Sequence, residues 1–201
     1  MNRKGFTLVE LIAMMVVLGI LMAIAVPNVS GILKNNKENI QIEDINKMIE
    51  TTKQTFNNKV LNYPKDGESC AVLSLSSINS SDDFTTGVNG GTYEQDASYI
   101  IVKREDKTTT DETGKSTNTY QYKYYIKLVE VKDGNYYVMG PVDNDLFQEE
   151  PKKYSSKRVA KPDEQAPKLK EVSNVLDEVN KAYKDATGID NLCAKITAFA
   201  K

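Results

Sequence analysis

Polar and apolar positions follow three different rhythms along this chain. From Phe6 to Val26 nearly every position is apolar, Glu10 is the one charged side chain, and Arg3 and Lys4 stand just ahead. A helix of that length spans roughly 31 Å at about 1.5 Å per residue, the thickness of a bilayer's hydrocarbon core. Basic residues before such a run favour the cytoplasmic side, so the remainder is expected to be exported. The second rhythm is amphipathic: Ile42, Ile45, Ile49, Thr52 and Phe56 recur at steps of three and four, with Glu43, Asp44, Lys47, Glu50 and Lys53 between them. Together these patterns predict one helix from Phe6 to about Lys59. Pro27 lacks an amide donor and is expected to kink it, and the stripe should bury against a sheet.

The third rhythm is that of strands. "CAVLSL" (Cys70–Leu75) and "SYIIVKR" (Ser98–Arg104) are rich in branched and aromatic residues. In "TYQYKYYIKLVEV" (Thr119–Val131), Tyr120, Tyr122, Tyr124, Ile126 and Leu128 alternate with Gln121, Lys123, Tyr125 and Lys127, which reads as a half-buried strand. Lys132-Asp133-Gly134-Asn135 is a turn, and Tyr136–Gly140 should pair back as a hairpin. A meander of three or four antiparallel strands is expected. The polar run "EDKTTTDETGKSTN" between two of them reads as a solvated hairpin loop.

From Gln148 to Pro167, prolines and charges describe a linker. Leu169, Val172, Val175, Leu176, Val179 and Tyr183 then form a helical stripe ended by Gly188, and Ile189, Leu192, Cys193 and Ile196 suggest a second short helix. The expected class is α+β: a long amino-terminal helix, membrane-spanning and then amphipathic, packed on a small antiparallel sheet, with a carboxyl-terminal helical tail. The division is 1–5, 6–59, 60–147 for the head and 148–201 for linker and tail.

Composition narrows the chemistry. The 201 residues include no histidine and only two cysteines, with a net charge of -2. The commonest general base is absent and no thiolate metal cluster can be built. No phosphate-binding glycine loop or nucleophile elbow is present. An enzyme is not expected, nor any cofactor. Asp143, Asn144 and Asp145 offer oxygens without the spacing of a calcium loop, so no metal is expected. Lys152, Lys153, Lys157, Arg158 and Lys161 cluster without the aromatic interleaving of a stacking surface, and overall acidity argues against a nucleic-acid partner. Exported cysteines can persist as a disulfide. Cys70 and Cys193 either form a bridge closing a long loop or remain two buried thiols.

Glu10 is the anomaly, since a carboxylate in lipid is costly. "RKGFTLVEL" (Arg3–Leu11) resembles the processing site of the type IV pilin family, which includes the pseudopilins of type II secretion. The resemblance covers about the first 30 residues. It implies that a prepilin peptidase cuts after Gly5 and methylates the new amine of Phe6. It also implies that the family's acidic position falls on Glu10 and its helix-distorting proline on Pro27. Opposite charges on the Phe6 ammonium and Glu10 attract strongly at low dielectric, within one helix at i and i+4 or between neighbouring subunits. A rival remains open: Ala23-Ile24-Ala25 fits the small-x-small site of ordinary signal peptidase, which would release a soluble protein beginning at Val26.

The resemblance implies a pilus subunit, major or minor, with other pilin subunits, prepilin peptidase, an inner-membrane assembly platform and membrane lipid as partners. Alternatives are a pseudopilin of a secretion or competence apparatus and a tip-located binding subunit. The implied location is a single-pass membrane precursor and then an extracellular filament. Family members usually end in a loop closed by two cysteines near the sheet. The helical tail departs from that pattern.

Overall fold

The longest alternating run of the sequence becomes the centre of the fold. The computed structural model describes residues 8–78, 84–110, 112–159, 167–169 and 174–200, with the backbone alone at 19 and 21–35. In chain order the described elements are helix α1 (Leu8–Asn57), strand β1 (Ser69–Ser74), helix α2 (Leu75–Ile78), and strands β2 (Thr92–Tyr93), β3 (Tyr99–Thr110), β4 (Ser116–Lys132) and β5 (Asn135–Asp143). Helices α3 (Asn144–Glu149) and α4 (Pro151–Tyr154), strand β6 (Lys157–Val159), helix α5 (Val175–Thr187) and strand β7 (Lys195–Ala200) follow. The chain divides into two units, Met1–Asn39 and Ile40–Lys201.

In the second unit the architecture is α+β around one mostly antiparallel sheet. Its order is β6-β5-β4-β3-β1-β7, with β2 also pairing β4. The β4–β5 turn places Asp133 and Gly134 at positive φ, 49° and 73°, the backbone of a tight two-residue hairpin. The expected second short helix of the tail is instead β7, which runs parallel to β1, with Cys70 opposite Ile196 and Val72 opposite Phe199. A register shift after Ile196 interrupts the alternation of "KITAFA": Ile196 and Phe199 join one core cluster, Ala198 and Ala200 the other. Pairing with β1 takes up backbone groups that a short helix would have satisfied within itself.

The sheet is buried on both faces. On one, Ile100, Val102, Ile126 and Leu128 cluster with Ile45, Met48, Ile49 and Phe56 of α1. On the other, Val72, Ile101 and Tyr125 cluster with Leu169, Val179 and Leu192 of the tail. Every residue from Tyr125 to Glu130 is therefore buried, while Ser116–Tyr120 are exposed and Gln121–Tyr124 half-buried, so the expected alternation of β4 is replaced by a gradient along the strand. Sheets covered on both sides lose the period-two signal. Leu169 lies ahead of α5 rather than on it, and Val172 and Lys161 fall outside the described residues.

The α5 boundaries follow local chemistry. The Asn174 side chain accepts from the amides of Leu176 and Asp177, and Gly188 closes the helix at φ 76° with its N–H on the Lys184 carbonyl. Most of the polar run between β3 and β4 is strand and not loop: the ladder continues to Thr110 opposite Ser116, leaving only a short connection. Thr108 donates to Asn118 at 2.9 Å, and the Thr110 and Ser116 hydroxyls lie 3.1 Å apart. Threonine is polar, yet its branched Cβ suits a strand.

Beside the β4 end, Glu130 is 1% exposed and accepts from the amides of Asn89 and Gly91 at 2.8–3.1 Å. A Cβ at Gly87 would lie 2.3 Å from the Glu130 carboxyl carbon. Gly87→Ala is expected to displace that carboxylate and lower stability by about 1–3 kcal/mol. A thermal melt checks it; an unchanged midpoint would mean the turn adapts.

Candidate assembly site

The first described turn of α1 carries Glu10, exposed, where an acidic side chain favours the positive end of the helix dipole. Around and beyond it the helix is apolar on all sides. Met14, Met15, Val16, Val17 and Leu18 are each more than half exposed. Five successive residues at about 100° per step go right round a helix, so no polar back exists there. Such a helix is stable only when surrounded by lipid or by other protein. Pro27 lies within α1, whereas Gly5 and Phe6 fall outside the described residues. Among the described residues no helix is long and apolar enough to cross a membrane. Within the Phe6–Val26 run, described side chains stop at Ile20, short of the roughly 20 apolar residues a span needs.

In the second unit, Cys70 and Cys193 are joined, with Cα atoms 5.8 Å apart and a separation of 123 in sequence. Cys70 is on β1, and Cys193 stands two residues before β7. The Asn180 side chain brackets the second cysteine, accepting from its amide at 3.0 Å and donating to its carbonyl at 2.8 Å.

The oxygens at Asp143 and Asp145 serve the fold. Asp143 accepts from the Asp145 amide as the amino-terminal cap of α3 and pairs with Lys123 at 2.9 Å. Lys123 also lies 3.6 Å from Asp145 and 4.0 Å from Glu105. The hydrogen bond to Asp143 and the surrounding carboxylates hold the Lys123 ammonium above the ordinary lysine range, against some burial. Among the described residues no group of three or more His, Cys, Asp or Glu side chains is placed to hold a metal ion.

Two features escaped the sequence reading. The first is a buried ion pair between sheet and tail: Lys127 Nζ is 2.9 Å from Glu178 Oε1, with side chains 1% and 8% exposed. The Lys127 ammonium also sits 5.2 Å from the centre of the Tyr99 ring. Burial holds Lys127 below the ordinary lysine range even though Glu178 pulls the other way. Lys127 occupies a polar slot of the β4 alternation, so only the unforeseen position of the tail helix reveals its burial. The second is an aromatic row. Phe56 stacks on Tyr63 and Tyr63 on Tyr122, both at 4.3 Å, and Tyr120 meets Tyr122 edge-on at 5.7 Å. The β4 tyrosines signalled half of that row, while Tyr63 lies outside the patterned segments.

Residues 1–26 match a family model described as the prokaryotic N-terminal methylation motif. No curated protein matches the chain, and neither does any solved structure. The matched stretch contains Gly5, Phe6 and Glu10 and the whole apolar run to Val26. Such a leader implies processing by prepilin peptidase, a membrane-anchored precursor and assembly with other pilins. At its amino terminus the chain therefore carries the leader segment of the type IV pilins and pseudopilins.

Proposed function

We propose that this chain is a structural subunit of a type IV pilus, polymerising through its apolar amino-terminal helix into a surface filament. The reading rests on the methylation motif at residues 1–26. The run of exposed apolar residues on every side of α1 from Met14 to Leu18 supports it. Before assembly the apolar Phe6–Val26 segment is dissolved in lipid; afterwards it packs against copies of itself, since no polar face equips it for water. Glu10 pairs with the methylated Phe6 amine of a neighbouring subunit and sets the register, as buried polar groups can. From Ile40 on, α1 is the pillar on which the sheet is mounted. A tail contributing both a helix and a strand to the head supports a minor subunit over a bulk one.

The amino-terminal mass of the exported protein tests this reading. The expected product begins at a methylated Phe6; a product beginning at Val26 overturns it. Glu10→Leu should insert in the membrane as well as the native chain and yet be missing from sheared filaments. Normal incorporation of that variant overturns the pairing. Sparse immunogold labelling along filaments is expected for a minor subunit, and dense labelling overturns that assignment.

A further inference from the structure

On the tail side of the sheet, a cleft of about 690 Å³ opens between β5, the α4–β6 segment and α5. We propose that it is a binding site for an organic anion, a carboxylated saccharide of two to three rings. The assignment rests on the second unit alone and stands whether or not the chain polymerises.

The lining is unusual for a chain whose net charge is -2. Among the described residues, Lys127, Lys153, Lys157 and Lys181 contribute to the cleft, against one carboxylate, Asp185. They come from four elements: β4, α4, β6 and α5. Lys127 is committed to Glu178 in the floor, and Lys153 pairs with Glu150 at 2.6 Å. Lys157 and Lys181 are exposed, and among the described residues neither has a carboxylate within ion-pair distance. Among the described residues, the positive charge that these two lysines bring to the lining is therefore unpaired. Surface lysines are ordinarily separated or paired; convergence on one concavity raises the local potential and favours an anionic occupant.

The rest of the lining argues for an organic body behind the charge. Val138, Val159 and Ala186 supply apolar surface, while Tyr154 and Ser155 add an aromatic ring and a hydroxyl. Ligand sites combine an apolar lining with a few polar groups that fix orientation. A sugar ring has apolar C–H faces and a hydroxyl periphery, and a carboxylate on it would meet the lysines. Inorganic phosphate would satisfy the charge and leave the apolar floor in water. The volume lies within the range of small-molecule sites, about 300–1,000 Å³.

The test is isothermal titration of the full chain in nonionic micelles with a glucuronate-containing disaccharide, its neutral analogue and inorganic phosphate. Saturable binding of the acidic sugar, at least tenfold tighter than either comparator, is the expected result. Lys157→Glu and Lys181→Glu should each weaken it about tenfold or more, whereas Lys152→Glu, an equal charge change on α4 outside the lining, should leave it within twofold. Circular dichroism of each variant separates lost binding from lost fold. Equal affinity for phosphate and the acidic sugar overturns the organic body. Equal loss in the Lys152 variant overturns the local site, and absence of saturable binding overturns the whole proposal.

Discussion

Lys127→Ala should be among the most damaging single substitutions in the head, costing about 3–5 kcal/mol because the Glu178 carboxylate stays behind, buried and unpaired. At roughly 2–4 °C per kcal/mol for a chain of this size, the melting midpoint should fall by about 6–20 °C. The double variant Lys127→Met with Glu178→Leu should recover most of the loss, since apolar side chains of similar volume avoid the desolvation of both ions. Thermal melts of the three proteins in nonionic micelles decide the matter. If the single and double variants melt together, the damage comes from lost packing and not from the orphaned charge.

The same pair leaves a signature in alkali. Burial lowers the Lys127 pKa in the native state from its ordinary 10.5. Between the native and unfolded values the unfolded chain therefore binds more protons, and stability at this site rises with pH. Below the native value both states are protonated and the contribution is flat. Tyr99 acts oppositely, because burial raises its hydroxyl pKa and native stability falls as the unfolded phenol ionises. The difference between the native chain and Lys127→Met as the pH rises toward 10.5 isolates the lysine, and a flat difference would exclude the effect.

Breaking the disulfide is the second large perturbation. The two cysteines are 123 positions apart, so the bridge restrains a long loop in the unfolded chain and should contribute about 2–4 kcal/mol. Its loss in Cys70→Ala/Cys193→Ala should also appear locally. Strand β7 has one neighbour, β1, and its parallel ladder closes against a strand more than a hundred residues away. Its amides should exchange first on reduction, before those of β3 and β4. Native protein should have an intact mass two hydrogens below its reduced form. Equal masses would mean that no bridge forms in the exported protein.

What could be read ahead of the structure was mostly local. The Tyr120–Leu128 alternation located β4, Asp133-Gly134 the hairpin turn, and Gly188 the stop of α5, because each depends on residues within a few positions. The α1 stripe named Ile45, Ile49 and Phe56 but passed over Met48 and Gln41, both buried. Gln41 is held by a contact from Nε2 to the Met139 sulfur, 98 positions away. Nonlocal facts were the ones missed. Lys195–Ala200 contains alanines and one lysine, weak strand formers, and becomes a strand because β1 offers an open edge. Lys127 looks solvent-facing until α5 covers it. In the candidate assembly segment the motif residues were legible, since they form one contiguous string. The cleft was not, because its lysines come from four separate elements.

The sulfur link also has a mechanical meaning. A pull applied to β7 passes through Cys193 to Cys70 and on through β1 toward the helix that precedes it, so the stretch between the two cysteines is bypassed. Load travelling from the tail to the shaft would then run along a covalent short circuit, leaving the cleft out of the path of tension.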